Sequence, residues 1–231
     1  MIEIIGDRGK RRRYDPNLAE KVNAEARREK EKGGNQEELQ NICKGFESSL
    51  AHKTGKTELR CREIAEQFKF SRKTIECFTK EKALDYRALE DDKDQFEFVL
   101  SVYLSSLISK SKDKTFILDL NNFNKAGILL DSFGNGVDNK KFITLVGDVG
   151  DYLGCSSSPI ISVYGNAGDY VGFHAGKTQI TIRGDAGKNV GFCAVNSKIY
   201  IKGNVGGLSD YIGVGTEIFQ DIGGMRKIYP K

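Results

Sequence analysis

Apolar positions in the second half of the chain alternate with polar ones, and the alternation restarts at a fixed interval. The segments "ITLV", "ISVY", "ITIR" and "IYIK" each put two apolar residues on one face: Ile143/Leu145, Ile161/Val163, Ile180/Ile182 and Ile199/Ile201. A period of two predicts strands. Each strand runs into glycine turns that recur 18 or 19 residues apart. Gly147, Gly165, Gly184 and Gly203 form one series, and Gly150, Gly168, Gly187 and Gly206 form another. Gly154, Gly172 and Gly191 form a third, which Gly213 joins three residues late. A leucine-rich repeat shares such a period but needs a Leu-x-x-Leu-x-Leu run and an Asn, which these segments lack. β-branched strands joined by glycine corners predict a parallel β-helix. Each strand then pairs with its equivalent one coil on, about 4.8 Å away.

In this reading the eight glycines of the first two series are structural corners, required by φ > 0 or by close approach of stacked backbones. Val149, Ala167, Ala186 and Val205, between the paired glycines, are small enough to point into a narrow bore. The position after the first glycine reads Asp148, Asn166, Asp185, Asn204. Stacking would put these in a column, where an Asn between two Asp relieves like-charge repulsion and donates a hydrogen bond.

"GDVGDYLG" and "GNAGDYVG" resemble the glycine-rich repeats of the C-terminal domain of the glutamate synthase large subunit, and equally those of the β-helical subunit of formylmethanofuran dehydrogenase. The resemblance covers residues 116–224, with clear coils over 143–223. It implies a right-handed parallel β-helix that serves as a scaffold for other domains, and it brings no catalytic motif. Two departures stand out. Family coils often carry a Gly-Gly pair where this chain reads "CSSSP" and "HAGKTQ", and the glutaminase, FMN and iron–sulfur modules of glutamate synthase have no counterpart here. Residues 116–142 read as one or two degenerate first coils, with "LDL" and "ILL" as strands.

The first half has helical periodicity, so the fold class is α+β, with a helical region over 15–115 and the β-helix over 116–231. Asp15-Pro16 starts a charged helix that Gly33-Gly34 stops. A second runs from Asn35 to about Leu50, with Leu39, Ile42, Cys43 and Phe46 on one face. Thr57 caps a third, with Cys61, Ile64, Ala65 and Phe68 inward, and Ser71 caps a fourth, with Ile75 and Phe78 inward. "IAEQFKFSRKTI" resembles a helix-turn-helix, with Ala65 at the crossing, Phe70 in the turn, and Arg72, Lys73 and Thr74 opening a recognition helix. Lys69 departs from the glycine usual in that turn. "DQFEFVLSVYLSSLISK" (94–110) is apolar around most of its circumference. It reads as a plug over the first coil, where core and backbone would otherwise meet water.

Composition separates the halves. Residues 1–115 hold 25 Lys/Arg and 6 of the 26 Gly; the rest hold 11 Lys/Arg and 20 Gly. "RGKRRR" makes residues 1–14 a basic arm, in which Arg8, Lys10, Arg11, Arg12 and Arg13 suit phosphates or an acidic partner. Yet residues 1–82 carry 20 Lys/Arg against 15 Asp/Glu, a small excess for a committed nucleic-acid binder. No apolar run approaches the ~20 residues of a membrane span, and the N-terminus lacks a signal peptide's apolar stretch. The expectation is a cytoplasmic protein without a membrane partner. Five scattered cysteines and two His predict reduced thiols and no zinc site.

Candidate chemistry is thin. "TGKT" (54–57) lacks the upstream glycine and strand of a phosphate loop. His174 and Cys193 hold equivalent places in successive coils, between Ser156 and Gly215, but no third group orients the His. Asp151, Asp169 and Lys188 stack at another corner, where two carboxylates and an ammonium could bind a metal, although a solvated ladder is the expected reading. No cofactor motif is evident. The expectation is a non-catalytic scaffold or protein-interaction subunit that engages partners, or itself, through the β-helix faces. A DNA-binding regulator and an accessory subunit of an oxidoreductase complex are the alternatives.

Overall fold

The structure is a computed structural model that describes residues 4–5, 11–12, 35–51, 57–83, 85, 92–138 and 141–230. The chain divides into two compact units, Met1–Gly33 and Gly34–Lys231. In the first, β1 (Ile4–Ile5) pairs antiparallel with β2 (Arg11–Arg12). These two stretches of the expected arm are therefore paired backbone. The helix expected over 15–33 and the loop at 54–56 lie outside the described residues.

The second unit begins with helices. Asn35 accepts from Glu37 N–H at 3.0 Å and caps α1 (Gln36–Leu50), whose Ile42 and Phe46 are fully buried. Helix α2 (Thr57–Gln67) buries Cys61, Ile64 and Ala65. Phe68, expected inward, is 39% exposed and its ring tilts against that of Phe70 past the end of the helix. Ser71 caps α3 (Arg72–Cys77), which continues as a π-helical turn, Phe78–Lys82. Helix α4 (Lys93–Lys110) is capped by Asp92 and buries residues on every side, including Phe96, Leu100, Tyr103, Leu104 and Leu107.

A seven-stranded sheet follows, its strands in chain order: β3 (Thr115–Asp119), β4 (Phe142–Val146), β5 (Ile160–Tyr164), β6 (Gln179–Ile182), β7 (Lys198–Ile201), β8 (Glu217–Asp221) and β9 (Met225–Tyr229). Strands β3 to β8 are parallel in unbroken register, which makes the C-terminal half a parallel β-solenoid. The register stacks Phe116, Ile143, Ile161, Ile180, Ile199 and Ile218 in one buried column. Each such burial contributes about 1.5–3 kcal/mol. A second parallel ladder joins Val149, Ala167, Ala186 and Val205, the small residues between the glycines.

The first coil differs from expectation. Residues 116–142 make one coil, and "ILL" is not a strand. The extra length holds a short helix, α5 (Asn121–Lys125), started where Asp119 Oδ1 accepts from Asn121 N–H. The last strand also differs. Strand β9 runs antiparallel to β8 and covers its edge, after a hairpin turn that contains Gly223 at φ +77° and Gly224 at φ +126°.

The expected plug is present, and the hydrogen bonds explain why it is α4. The first coil has no coil beneath it to accept its N–H groups. Glu97 accepts from Leu129 N–H at 2.7 Å, Ser105 Oγ from Gly134 N–H at 2.8 Å, and Glu76 of α3 from Ile117 N–H at 2.7 Å. Lys141, buried, donates to the Ser111 and Asp113 carbonyls just past the end of α4. Burial pushes its ammonium down from the ordinary value, against the pull of Asp138 and Asp113. Helices and solenoid thus share one continuous core.

Candidate interaction surface

Three ladders of side-chain hydrogen bonds hold the corners. In the first, Asn124 Oδ1 accepts from Asp148 N–H, Asp148 from Asn166, Asn166 from Asp185, and Asp185 from Asn204, at 2.6–2.9 Å. The acid–amide alternation has a simpler role than expected, because either residue supplies the one oxygen that takes the next coil's N–H. The second ladder runs Asp131, Asp151, Asp169 and Lys188 in the same manner, at 2.7–2.8 Å. These carboxylates are acceptors for backbone. No cluster of three or more metal-ligating side chains occurs among the described residues. The third ladder lies outside the sequence expectations. Thr178 Oγ1 donates to Pro159 C=O, Ser197 Oγ takes Thr178 N–H, and Thr216 Oγ1 takes Ser197 N–H, all buried. The spacing of Pro159, Thr178, Ser197 and Thr216, 19 residues each time, is the signal that could have found it.

The ladders show why glycine is required. A Cβ on Gly168 would lie 2.1 Å from Asp151 Oδ1 and 2.9 Å from Gly150 C, and on Gly187 2.1 Å from Asp169 Oδ1 and 2.8 Å from Gly168 C. Close approach is the cause at these corners, and at Gly150, Gly165, Gly184, Gly203 and Gly206 as well; of the eight, only Gly147 has positive φ. Left-handed backbone is concentrated one corner on, in the alternating sets Tyr152/Gly154/Ser156, Tyr170/Gly172/His174 and Asn189/Gly191/Cys193. Of the six side-chain-bearing residues there, five have their N–H groups taken by the coil above, as Lys188 C=O does for Tyr170 and Phe192 C=O for His174. Those bonds hold a conformation that is otherwise costly for such residues. Gly215 does not continue that column. It stacks over Asn196, whose Oδ1 a Gly215 Cβ would meet at 2.2 Å, and Gly213 stacks over Ala194. The coil from Ile199 to Ile218 keeps its 19 residues, so the corner itself is rebuilt without an insertion.

Burial, then the charges of Asp151, Glu97 and Asp94, push the Asp131 carboxyl above its ordinary value. A folded carboxyl that holds its proton to higher pH than the unfolded one favours the fold below its folded value and loses that advantage as pH rises through it. Asp131→Asn keeps the acceptor for Asp151 and removes the charge. We expect it to raise the melting temperature by a few degrees at pH 7, with the gain fading as the pH is lowered through the folded Asp131 value. Melting curves over a pH series check this; an equal gain at every pH would contradict it.

The segment that resembles a helix-turn-helix in sequence ties its polar side chains to neighbouring elements. Glu38 of α1 accepts from Ser71 N–H, Ser71 Oγ and Thr74 Oγ1, the last at 2.6 Å. Burial raises the Glu38 carboxyl, and the hydrogen bonds of Thr74 and Ser71 more than reverse this, holding it below the usual value. Arg72 donates its N–H to Asp113 Oδ2 and pairs its guanidinium with Glu76. Thr74 is fully buried and presents nothing to a nucleic acid. Of Arg72, Lys73 and Thr74, Lys73 is the exposed one, and residues 68–71 contain no positive φ. Arg11 and Arg12 lie in β2, and Arg8, Lys10 and Arg13 lie outside the described residues.

The aromatic residues also stack. Tyr152 and Tyr170 lie parallel at 4.8 Å, Phe173 and Phe192 at 5.2 Å, and Tyr211 meets Phe192 edge-on at 6.0 Å. His174 packs against Phe173 at 4.4 Å, which gives it a place in this aromatic strip. All five cysteines are free thiols. The strip grows more exposed toward the end of the solenoid, where Tyr211 is 70% and Val214 86% exposed.

The chain matches no family model, no curated protein and no solved structure. The site is therefore read from its geometry, and the two ends of the solenoid differ sharply. The first coil is sealed by Glu97, Ser105 and Glu76. In the coil below the last, Ala186 has its N–H taken by Asn204 C=O and its C=O by Gly206 N–H. Val205, next in that ladder, finds no partner for either group among the described residues. No helix of the described residues is long and apolar enough to cross a membrane.

Proposed function

We propose that the protein is a non-catalytic interaction scaffold that docks a second copy of itself through the last coil of its solenoid. The observations that carry this reading are the ladder at Val205, unpaired among the described residues, and, at another corner of the last coils, the exposed Tyr211, Val214 and Val195. An unpaired edge is a template for another strand, and its spacing suits another coil of the same pitch. The helices cover the first coil, so the last coils of two copies meet across a two-fold axis, which closes the assembly at a dimer. The resemblance of the glycine repeats to the glutamate synthase C-terminal domain supports the same role, since the β-helix of that family resembles a scaffold.

The test is sedimentation equilibrium on the full chain. Wild type is expected to be a dimer, and the double variant Tyr211→Asp/Val214→Asp a monomer with an unchanged melting temperature, because both side chains are exposed. A wild-type monomer at every concentration, or a double variant that still dimerises, overturns the reading.

A further inference from the structure

We propose that Asn135 is a self-modifying site, whose conversion to aspartate or isoaspartate loosens the helices from the first coil. Asn135-Gly136 is the one Asn-Gly step in the chain. It lies in the first coil's corner, between Gly134, whose N–H is held by Ser105, and the buried Val137. Gly136 is exposed, its φ is +68°, and no acceptor among the described residues takes its N–H. Without a Cβ, its nitrogen can approach the preceding side chain closely. Arg62 of α2 sits against it: a Cβ on Gly136 would lie 2.6 Å from Arg62 Nη2. A cation there favours the ionised, nucleophilic form of the amide nitrogen.

The chemistry needs only water. Gly136 N attacks Asn135 Cγ. The new N–Cγ bond forms as the Cγ–Nδ2 bond breaks, and ammonia leaves with the proton that Gly136 N gave up. Water then adds to one carbonyl of the cyclic imide. Cleavage of the N–Cγ bond yields aspartate, and cleavage of the backbone bond yields isoaspartate, with one added methylene in the main chain.

Either product breaks a specific contact. Asn135 Nδ2 now donates to Glu58 Oε1 at 2.9 Å, joining the first coil to the first turn of α2. Aspartate offers no donor and sets a second carboxylate against Glu58. Isoaspartate also lengthens a turn anchored by the fully buried Phe133. The change is one-way and acts at the seal of the solenoid, far in sequence from the last coil.

The experiment incubates the full chain at pH 8.5 and pH 5 and follows each asparagine by peptide mapping and mass spectrometry. Expected is conversion at Asn135 at least tenfold faster than at any other asparagine, faster at pH 8.5, and slowed severalfold by Arg62→Gln. Asn135→Asp is expected to melt below wild type, and Glu58→Gln in that background to recover part of the loss. Conversion at Asn135 no faster than elsewhere overturns the proposal. So does an Asn135→Asp variant as stable as wild type, or a rate indifferent to Arg62.

Discussion

Gly168→Val and Gly187→Val are each expected to cost about 3 kcal/mol or more, the upper range for forcing bulk into a packed interior. Their Cβ atoms would meet the Asp oxygen and the backbone carbon of the coil below at distances no packed Cβ shows. The carboxylate cannot simply swing away. Asp151 Oδ1 holds Asp169 N–H, and Asp169 Oδ1 holds Lys188 N–H, so moving either breaks a ladder bond. Central coils also depend on neighbours on both sides. At about 2–4 °C per kcal/mol for a unit of this size, the melting temperature should fall by roughly 10 °C, or the protein should be insoluble. Gly223→Val is the comparison. Nothing lies within 4 Å of its Cβ position, so it pays only the strain of φ +77°, about 1–2 kcal/mol. Central variants that melt within a few degrees of the Gly223 variant would show that these corners are not closely stacked.

Tyr103→Ala should have an effect of similar size for a different reason. The ring is fully buried on α4, 5.5 Å from Phe46 and 6.2 Å from Phe78, and its hydroxyl donates to Ile42 C=O at 2.8 Å. Removing a large buried ring costs about 3–5 kcal/mol. Tyr103→Phe, which loses the hydroxyl alone, should cost about 1 kcal/mol. Because α4 shares its core with α1, α2 and the first coil, helices and solenoid should unfold in one transition. Far-UV and near-UV circular dichroism recorded through the same melt test this. A helix signal lost well before the aromatic signal, or an Ala variant no worse than the Phe variant, would refute the shared core.

What is legible in the sequence is what repetition makes visible. Ile143, Ile161, Ile180 and Ile199 recur because stacked strands present equivalent faces to one core, so period and alternation together imply a solenoid. The α4 plug is legible for a related reason: a helix apolar on all sides has to be buried on all sides. The reason for each corner glycine is not. Sequence cannot distinguish a glycine that needs left-handed backbone from one whose Cβ would strike the coil below, and Tyr152, Tyr170, His174 and Cys193 share the left-handed places with glycines. Those residues hold that conformation through hydrogen bonds to the next coil, which exist only once the coils stack.

The same limit governs the helical segment. "SRKT" is compatible with a recognition helix, but Glu38, 36 residues earlier, decides the matter for Thr74 by taking its hydroxyl into the interior. Glu97, Ser105 and Glu76 carry no motif either; they become caps because α3 and α4 lie over N–H groups that have no coil beneath them. Local pattern thus determined which elements form and which faces they bury. Tertiary structure alone decided that helices seal the first coil and that the ladder at Val205 goes unpaired among the described residues, because that depends on which side chains chain folding brings within reach of backbone groups.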